Sequence, residues 1–356
     1  MKFIDLFAGI GGFHLGMEQA GHECVGWVEW DKFARKSYQA IHDVEGVWNA
    51  SDIRTVRSTE IPRADCWCFG FPCQDISVAG KQGGFTSGRR SSLFFTVTGL
   101  LREIEKEDRP AYLLIENVKN LLSINKGWDF AKLLIELDEI GYDVEWDVLD
   151  SAEVVPQHRE RVFIVGHFRG RSTRKIFPII KGSREVDSRP DTTNTLTTRY
   201  GEAQGTGSYL VESKPSKVRQ IGNIMDTNYF GGNPQPGRVY DPEGLSPTLN
   251  TMSGGGREPK ILVNPHGFNK GGVKSISPTV TAGAFSNNTF LAQNSRIRKL
   301  TPLECWRLQG FPDWAFYRAK DVEISNSQLY KQAGNSVTVP VIRLIAERMA
   351  LIDETR

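Results

Sequence analysis

The sequence predicts an α/β protein, a doubly wound and mostly parallel sheet followed by a smaller segment of loops and short strands. Three observations carry this expectation. Apolar runs of strand length alternate with stretches of helical spacing over the first 170 residues. A glycine turn, Gly9-Ile10-Gly11-Gly12, joins the first run to the first helix. Residues 181–295 then hold 16 of the 35 glycines and 9 of the 17 prolines with no sustained helical period. A chain of 356 residues is long enough for two domains.

In chain order, Phe3 to Leu6 reads as a strand and Leu15, Met17 and Ala20 as one helix face, the opening unit of a sheet that binds a ligand at a helix N-terminus. Counted as G-x-G-x-x-G from Gly9, the pattern departs from the dinucleotide fingerprint at His14. A second strand, Cys24 to Val28, ends in Glu29-Trp30. A carboxylate there can accept both ribose hydroxyls of an adenosine, with Trp30 as a stacking ring, although a surface carboxylate fits equally well on this observation alone. Asp52-Ile53 follows the next short strand. Cys66 to Phe69 is a buried strand, so Cys73, in Gly70-Phe71-Pro72-Cys73-Gln74, stands beyond a strand's carboxyl end, where α/β sheets carry reactive groups; free cysteines more often simply pack.

Helical spacing covers Ser91 to Glu105, and Ala111 to Ile115 is a buried strand ending at Glu116-Asn117-Val118. Trp128 to Ile140 is an amphipathic helix stopped by Gly141. Val144, Trp146 and Val148 pair with Val162 to Val165 as an antiparallel hairpin at the sheet edge, across a turn containing Gln157-His158-Arg159-Glu160-Arg161. In the glycine-rich segment a short pattern recurs at Thr195 to Thr198, Ser246 to Thr251 and Ser277 to Thr281, which suggests stacked β-hairpins. Thr301 with Glu304, and Ser325 with Gln328, mark two helix starts. Gly334 is expected to stop the second helix, and Pro340 to open a final one.

The formal net charge of +2 conceals an asymmetry: residues 167–300 carry 19 Lys/Arg against 9 Asp/Glu. A basic segment on an acidic body points to a polyanionic partner, and a solvated basic surface is the plainer alternative. The five cysteines have no zinc-ligand spacing and no even pairing, so no metal and no disulfide framework is expected. With no apolar run near the 18 or so residues of a membrane span and no signal-peptide pattern, a cytoplasmic protein is expected.

Taken together, the ordered set FxGxG, GFPCQ, ENV, QxRxR, RKLTPLECWRLQGFP and QAGNSV resembles the bacterial and phage DNA (cytosine-5)-methyltransferases, from Phe3 to Val341 and least between about 172 and 295. The resemblance implies a Rossmann-like S-adenosylmethionine-dependent methyltransferase sheet over residues 1–172, a target-recognition domain over 173–297, the end of that domain and a hinge over 298–329, and a return to the catalytic domain over 330–356. It implies Cys73 as nucleophile, Glu116 as the carboxylate at cytosine nitrogen 3, and Arg159 and Arg161 holding the cytosine carbonyl and Glu116. For the cofactor it carries over Phe7, Gly9, Gly11, Glu29, Trp30, Asp52, Ile53, Pro72, Leu93, Asn335 and Ser336. The glycines and basic residues from Gly80 to Arg90 resemble a closing loop; Gln74, Ser77, Lys81 and Arg90 are candidate DNA contacts, as are Arg199, Arg238, Thr248 and Arg257 in the recognition segment.

The activity implied is site-specific methylation of carbon 5 of a flipped-out cytosine in duplex DNA, by a monomer of a phage or of a restriction-modification system with a possible cognate endonuclease. A tRNA cytosine methyltransferase shares much of this pattern but brings a Cys-Phe-Thr signature absent here. A catalytically inactive DNA-binding regulator on the same fold predicts loss of Cys73 or Glu116, and both are present. A nicotinamide oxidoreductase is disfavoured at His14.

Overall fold

The computed structural model describes residues 1–71, 93–169, 171, 173, 175–179, 217–223, 238–241, 244–249, 260–263 and 296–353. Pro72, Cys73, Gln74, Ser77, Lys81, Arg90, Arg199 and Arg257 lie outside the described residues, as do the repeats at 195–198 and 277–281.

The first seven strands, β1 (Lys2–Leu6), β2 (Glu23–Val28), β3 (Trp48–Ala50), β4 (Cys66–Gly70), β5 (Tyr112–Val118), β6 (Tyr142–Asp150) and β7 (Glu160–Phe168), form one sheet in the order β3-β2-β1-β4-β5-β7-β6. Strands β1 to β5 are parallel, and β7 runs antiparallel to both neighbours, so the expected hairpin closes the sheet at its edge. Because successive side chains of a strand face opposite ways, each apolar run supplies two cores. Ile4, Leu6, Trp67, Phe69, Leu113 and Ile115 pack with Phe94, Val97 and Leu101 of helix Leu93–Glu103 and with Leu133 and Leu137 of helix Trp128–Ile140. Phe3, Cys66, Cys68 and Leu114 pack on the other face with Met17 of helix Gly12–Gln19 and Ile342 and Ile345 of helix Val339–Asp353. Each such side chain contributes about 1.5–3 kcal/mol when fully buried. Cys66 and Cys68 are thus packing residues, as their spacing predicts, with sulfurs 3.7 Å apart.

The helices are named in chain order α1 (Gly12–Gln19), α2 (Lys32–Ile41), α3 (Leu93–Glu103), α4 (Trp128–Ile140), α5 (Pro302–Leu308), α6 (Asp313–Asp321), α7 (Asn326–Asn335) and α8 (Val339–Asp353). Gly141, at φ 104°, ends α4 as expected. Thr301 and Glu304 form the capping box that starts α5, with Pro302 in its first turn, and Ser325 caps α7. Gly334 does not stop α7, which runs on to Asn335. Two helices were not expected. Asp31 caps α2 by accepting from the Phe33 and Ala34 amides at 2.8 and 3.1 Å, and α6 packs Ala315, Phe316 and Ala319 into a third core. That core joins α5, α6 and α7 to Ile10, Leu15 and Ile41, so residues 302–335 sit against the first domain.

His14 is buried in the first turn of α1, with Nδ1 2.6 Å from the Tyr38 hydroxyl and its ring stacked on His42 at 4.0 Å. This packing against α2 accounts for its departure from the dinucleotide pattern. The same crowding makes Gly11 obligatory: its φ is 83°, and a Cβ there would lie 1.9 Å from His42 Nε2.

A second sheet joins β8 (Gln220–Asn223), β9 (Arg238–Tyr240), β10 (Lys260–Val263) and β11 (Arg296–Lys299) in the order β11-β10-β9-β8. The outer pairs, β8–β9 and β10–β11, are antiparallel and meet along a parallel β9–β10 pairing; of the three repeats behind the expected hairpins, those at 195–198 and 277–281 lie outside the described residues. Strand β11 crosses the expected boundary at 297. The repeat copy at Ser246 to Leu249 lies outside both sheets and meets Gln157 through an isolated parallel bridge. Among the described residues, no helix is long and apolar enough to cross a membrane.

Candidate active site

In the order β3-β2-β1-β4-β5 the winding reverses between β1 and β4, and the crevice beyond the carboxyl ends of such strands is where α/β sheets bind ligands. The sequence places polar and strained residues at those ends. After β1, Phe7 and Gly9 take φ of 56° and 58°, which turns the chain sharply into α1. After β2, Glu29 braces this turn: Oε2 accepts from the Gly9 amide and Oε1 from the Asp31 amide, both at 2.7 Å. Each oxygen keeps a second acceptor site. Trp30 is 70% exposed, an unusual setting for so large a ring, and the Arg54 guanidinium lies 4.9 Å from its centre. Arg54 is held in turn by Asp52 through contacts of 2.7–3.1 Å, and this pairing draws the Asp52 carboxyl below its ordinary range.

Beyond β4 and β5, Gly70 and Glu116 are register partners. A Cβ at position 70 would lie 3.1 Å from Glu116 Oε2, so a glycine lets the two strands carry the carboxylate between them. Arg161 Nε lies 3.1 Å from Glu116 Oε1, reached diagonally across the β5–β7 ladder, in which Glu116 faces Phe163 and Val118 faces Arg161. Both side chains are largely buried, so the pair is screened less than a surface one. Asn117, 2% exposed, donates from Nδ2 to the Phe71 carbonyl at 2.8 Å and so fixes where the chain leaves β4.

Arg159 behaves differently from Arg161. It is buried, and its terminal nitrogens donate to three carbonyls, Leu249 at 3.0 Å, Ser336 at 3.0 Å and Gly334 at 3.3 Å. Burial, followed by the like charge of Arg161, pulls its pKa down to about 9, with Glu116 opposing. Its Nε has no hydrogen-bond partner among the described residues.

The C-terminal segment completes the walls. Lys331 pairs with Asp31 at 2.7 Å, and the Gln332 amide bridges Phe33 O and the Ser37 hydroxyl, which seats α7 on α2. A Cβ on Gly12 would come within 2.6 Å of Ser336 Oγ, so the glycine turn lies directly under Ser336.

The result is a cleft of about 990 Å³. Phe7, Gly9, Glu29, Trp30, Leu93, Glu116, Arg159, Arg161, Asn335 and Ser336, all expected from the sequence, line it together. Gly11, Asp52 and Ile53 are not among its lining residues: Gly11 packs on His42, Asp52 acts on Arg54, and Ile53 is buried in the core with Ile4 and Leu6. The Thr248 hydroxyl donates to His158 O at 2.7 Å, and Arg238 lies in β9 away from the cleft lining. Arg54, Gln328 and Lys331 line the cleft without having been expected there: Gln328 reads from the sequence only as part of a helix start, and Arg54 and Lys331 reach the cleft from a turn and a helix with no motif of their own. One end of the cleft therefore offers an exposed indole, a carboxylate and a glycine turn, suited to an adenosine. The other offers a carboxylate beside a guanidinium, suited to a flat polar ring with a carbonyl next to a nitrogen.

A family model described as C-5 cytosine-specific DNA methylase matches residues 1–350. Curated relatives include the orphan methyltransferase M.SPBetaI of Bacillus phage SPbeta, 32% identical over 98% of this chain and 97% of the relative. The type II methyltransferase M.HhaI of Haemophilus parahaemolyticus is 32% identical over 97% of this chain and 93% of its own length. Among solved structures, the Dnmt2 methyltransferase of S. pombe aligns over 100% of this chain and 98% of its own, with a TM-score of 0.62 at 18% identity, a likeness of fold.

Proposed function

Because the chain belongs to the C-5 cytosine-specific DNA methylase family, we propose that it methylates carbon 5 of a cytosine flipped out of duplex DNA, through a transient bond between Cys73 and carbon 6. The observation that carries this reading is the Glu116–Arg161 pair beside the exit of β4, where the chain runs through Phe71 to Cys73 two residues on. The family uses S-adenosylmethionine, and the adenosine end of the cleft fits it: Glu29 keeps acceptor sites for ribose hydroxyls, Trp30 presents a largely exposed ring, and Gly9 allows close backbone approach. When bound, that cofactor supplies the electrophilic methyl group that carbon 5 takes up.

The chain's own residues make carbon 5 reactive enough to take it. The Cys73 thiolate adds to carbon 6 and pushes electron density towards carbon 5 and nitrogen 3. Glu116 meets nitrogen 3 by hydrogen bond or proton as negative charge gathers there, and Arg161 holds the Glu116 carboxylate in place while its remaining donors are available to the ring carbonyl. Water then takes the carbon 5 proton, the electron pair of the broken carbon–hydrogen bond forms the carbon 5–carbon 6 double bond, and the carbon 6–sulfur bond breaks to return the thiolate. None of these atoms is accessible within a duplex, so the base must leave its stack, at a cost of a few kcal/mol.

The basic segment from 167 to 300 supports duplex DNA as the partner, since clustered Lys and Arg gain most from phosphate neutralisation. In the test, labelled methyl groups pass from S-adenosylmethionine to duplex DNA with the wild-type protein, and Cys73→Ser abolishes the transfer. Undiminished transfer by the variant would contradict the proposed nucleophile.

A further inference from the structure

Both backbone polar groups of Leu249 are held by side chains of the loop that precedes β7. The Leu249 amide donates to Gln157 Oε1 at 3.0 Å, and its carbonyl accepts from Arg159 at 3.0 Å. Around this pair the Ser246 amide donates to Pro156 O at 3.0 Å and the His158 amide to Ser246 O at 2.9 Å. Gln157 is fully buried, and the other end of its amide donates to Leu308 O, at the end of α5, at 2.9 Å. One amide thus ties together the first domain, the segment at 246–249 and the helices that follow β11. Its orientation is fixed, because turning it over would set N–H against N–H and oxygen against oxygen. Leu249 is itself buried in the core of α5, α6 and α7.

Gln157 is absent from the described residues that line the cleft, so the chemistry and the cofactor give it no direct task. What it sets is the position of the chain at Ser246 to Leu249, against the loop that precedes β7. Resting on the proposed activity and on recognition by residues 173–297, we propose that Gln157 is a positioning residue for sequence specificity: a side chain of the catalytic domain that fixes the register of the recognition segment against the sheet. Without its hydrogen bond the segment keeps its contacts through Ser246 and Arg159, so it stays attached but is held less tightly, and DNA contexts that differ by one base are discriminated less.

The full-length protein, Gln157→Met and Gln157→Asn are each expressed in cells with no cytosine methylation of their own, and the genomic DNA is sequenced after bisulfite treatment. Melting temperatures and KM for S-adenosylmethionine are measured on the purified proteins. The wild type is expected to mark cytosines in one sequence context. Both variants should raise methylation at contexts one base removed, relative to the cognate context, by roughly tenfold, the order that one lost hydrogen bond supplies, while KM for the cofactor stays within about twofold, since Gln157 does not touch its cleft. Asn keeps an amide one carbon too short to span Leu249 and Leu308, and it carries the test if Met disrupts folding. Folded variants with the wild-type spectrum of contexts, or with activity reduced equally at all of them, would overturn the proposal, as would failure of both variants to fold. Absence of methylation by the wild type would instead overturn the proposed activity.

Discussion

At the scale of single residues, the two arginines of the QxRxR pattern divide their work although they are only two positions apart, one just before β7 and one within it. Arg161 meets Glu116 at 3.1 Å, while Arg159 has three backbone carbonyls for partners. Spacing predicts that the two share a face, and a face does not say what stands opposite: position 161 lies across the ladder from β5, whereas 159 precedes β7 and meets segments from 249 and 334–336. Glu116→Gln keeps the shape of the side chain and its capacity to accept from Arg161 but removes the carboxyl that would handle a proton at the ring. Methyl transfer is expected to slow by about 10²–10⁴-fold, with DNA affinity, measured by titration under the same salt, changed only a few-fold. An equal loss in rate and affinity would make Glu116 a structural residue.

At the scale of elements, β1, α1 and α2 enclose a buried polar cluster under the glycine turn. Asp5 is fully buried, its Oδ1 without a partner among the described residues, and the Tyr38 hydroxyl lies 3.5 Å from Oδ2. Burial, opposed by a backbone hydrogen bond from His14 and reinforced by the charge of Glu29, raises its pKa well above the ordinary carboxyl range. The folded state therefore holds this proton more tightly than the unfolded chain, whose Asp titrates near 3.9. The associated stability is present in full below about pH 4 and is lost as pH rises towards the folded-state value. Asp5→Asn, neutral throughout, should be more stable than wild type at pH 8 by about 1–3 kcal/mol, with the gap closing towards pH 4. Urea unfolding midpoints at the two pH values check this, and a wild type more stable than the variant at pH 8 would contradict it.

The same region shows what the sequence made legible. Strands β1, β4 and β5 are buried on both faces; β4 and the first half of β5 read as apolar runs, β1 is interrupted at Asp5, and the capped helices α5 and α7 announce their starts. Helix α2 is legible by the same rule, since Ala34, Ser37, Tyr38 and Ile41 of its buried face recur at helical spacing behind the Asp31 cap, although it was not among the expected helices. Cleft residues with a motif at a strand end were found. Arg54 and Lys331 were not, because their roles come from contacts between segments far apart in the chain, and the QxRxR motif contains Gln157 without telling that its partners are Leu249 and Leu308.

At the scale of the molecule, the acidic body holds the cleft and the basic segment at 167–300 follows it in the chain, with Gln157, Arg159 and Leu308 tying the segment at 246–249 to the sheet. On the proposed reading, chemistry and choice of site fall to different parts of one chain, and Gln157, Arg159 and Leu249 form a small buried junction between them. The central claim is the identity of the product. Duplex DNA incubated with the purified protein and S-adenosylmethionine, digested to nucleosides and analysed by mass spectrometry, should yield 5-methyldeoxycytidine as the new nucleoside, whereas methyl groups on an exocyclic nitrogen, on adenine, or on RNA alone would contradict it.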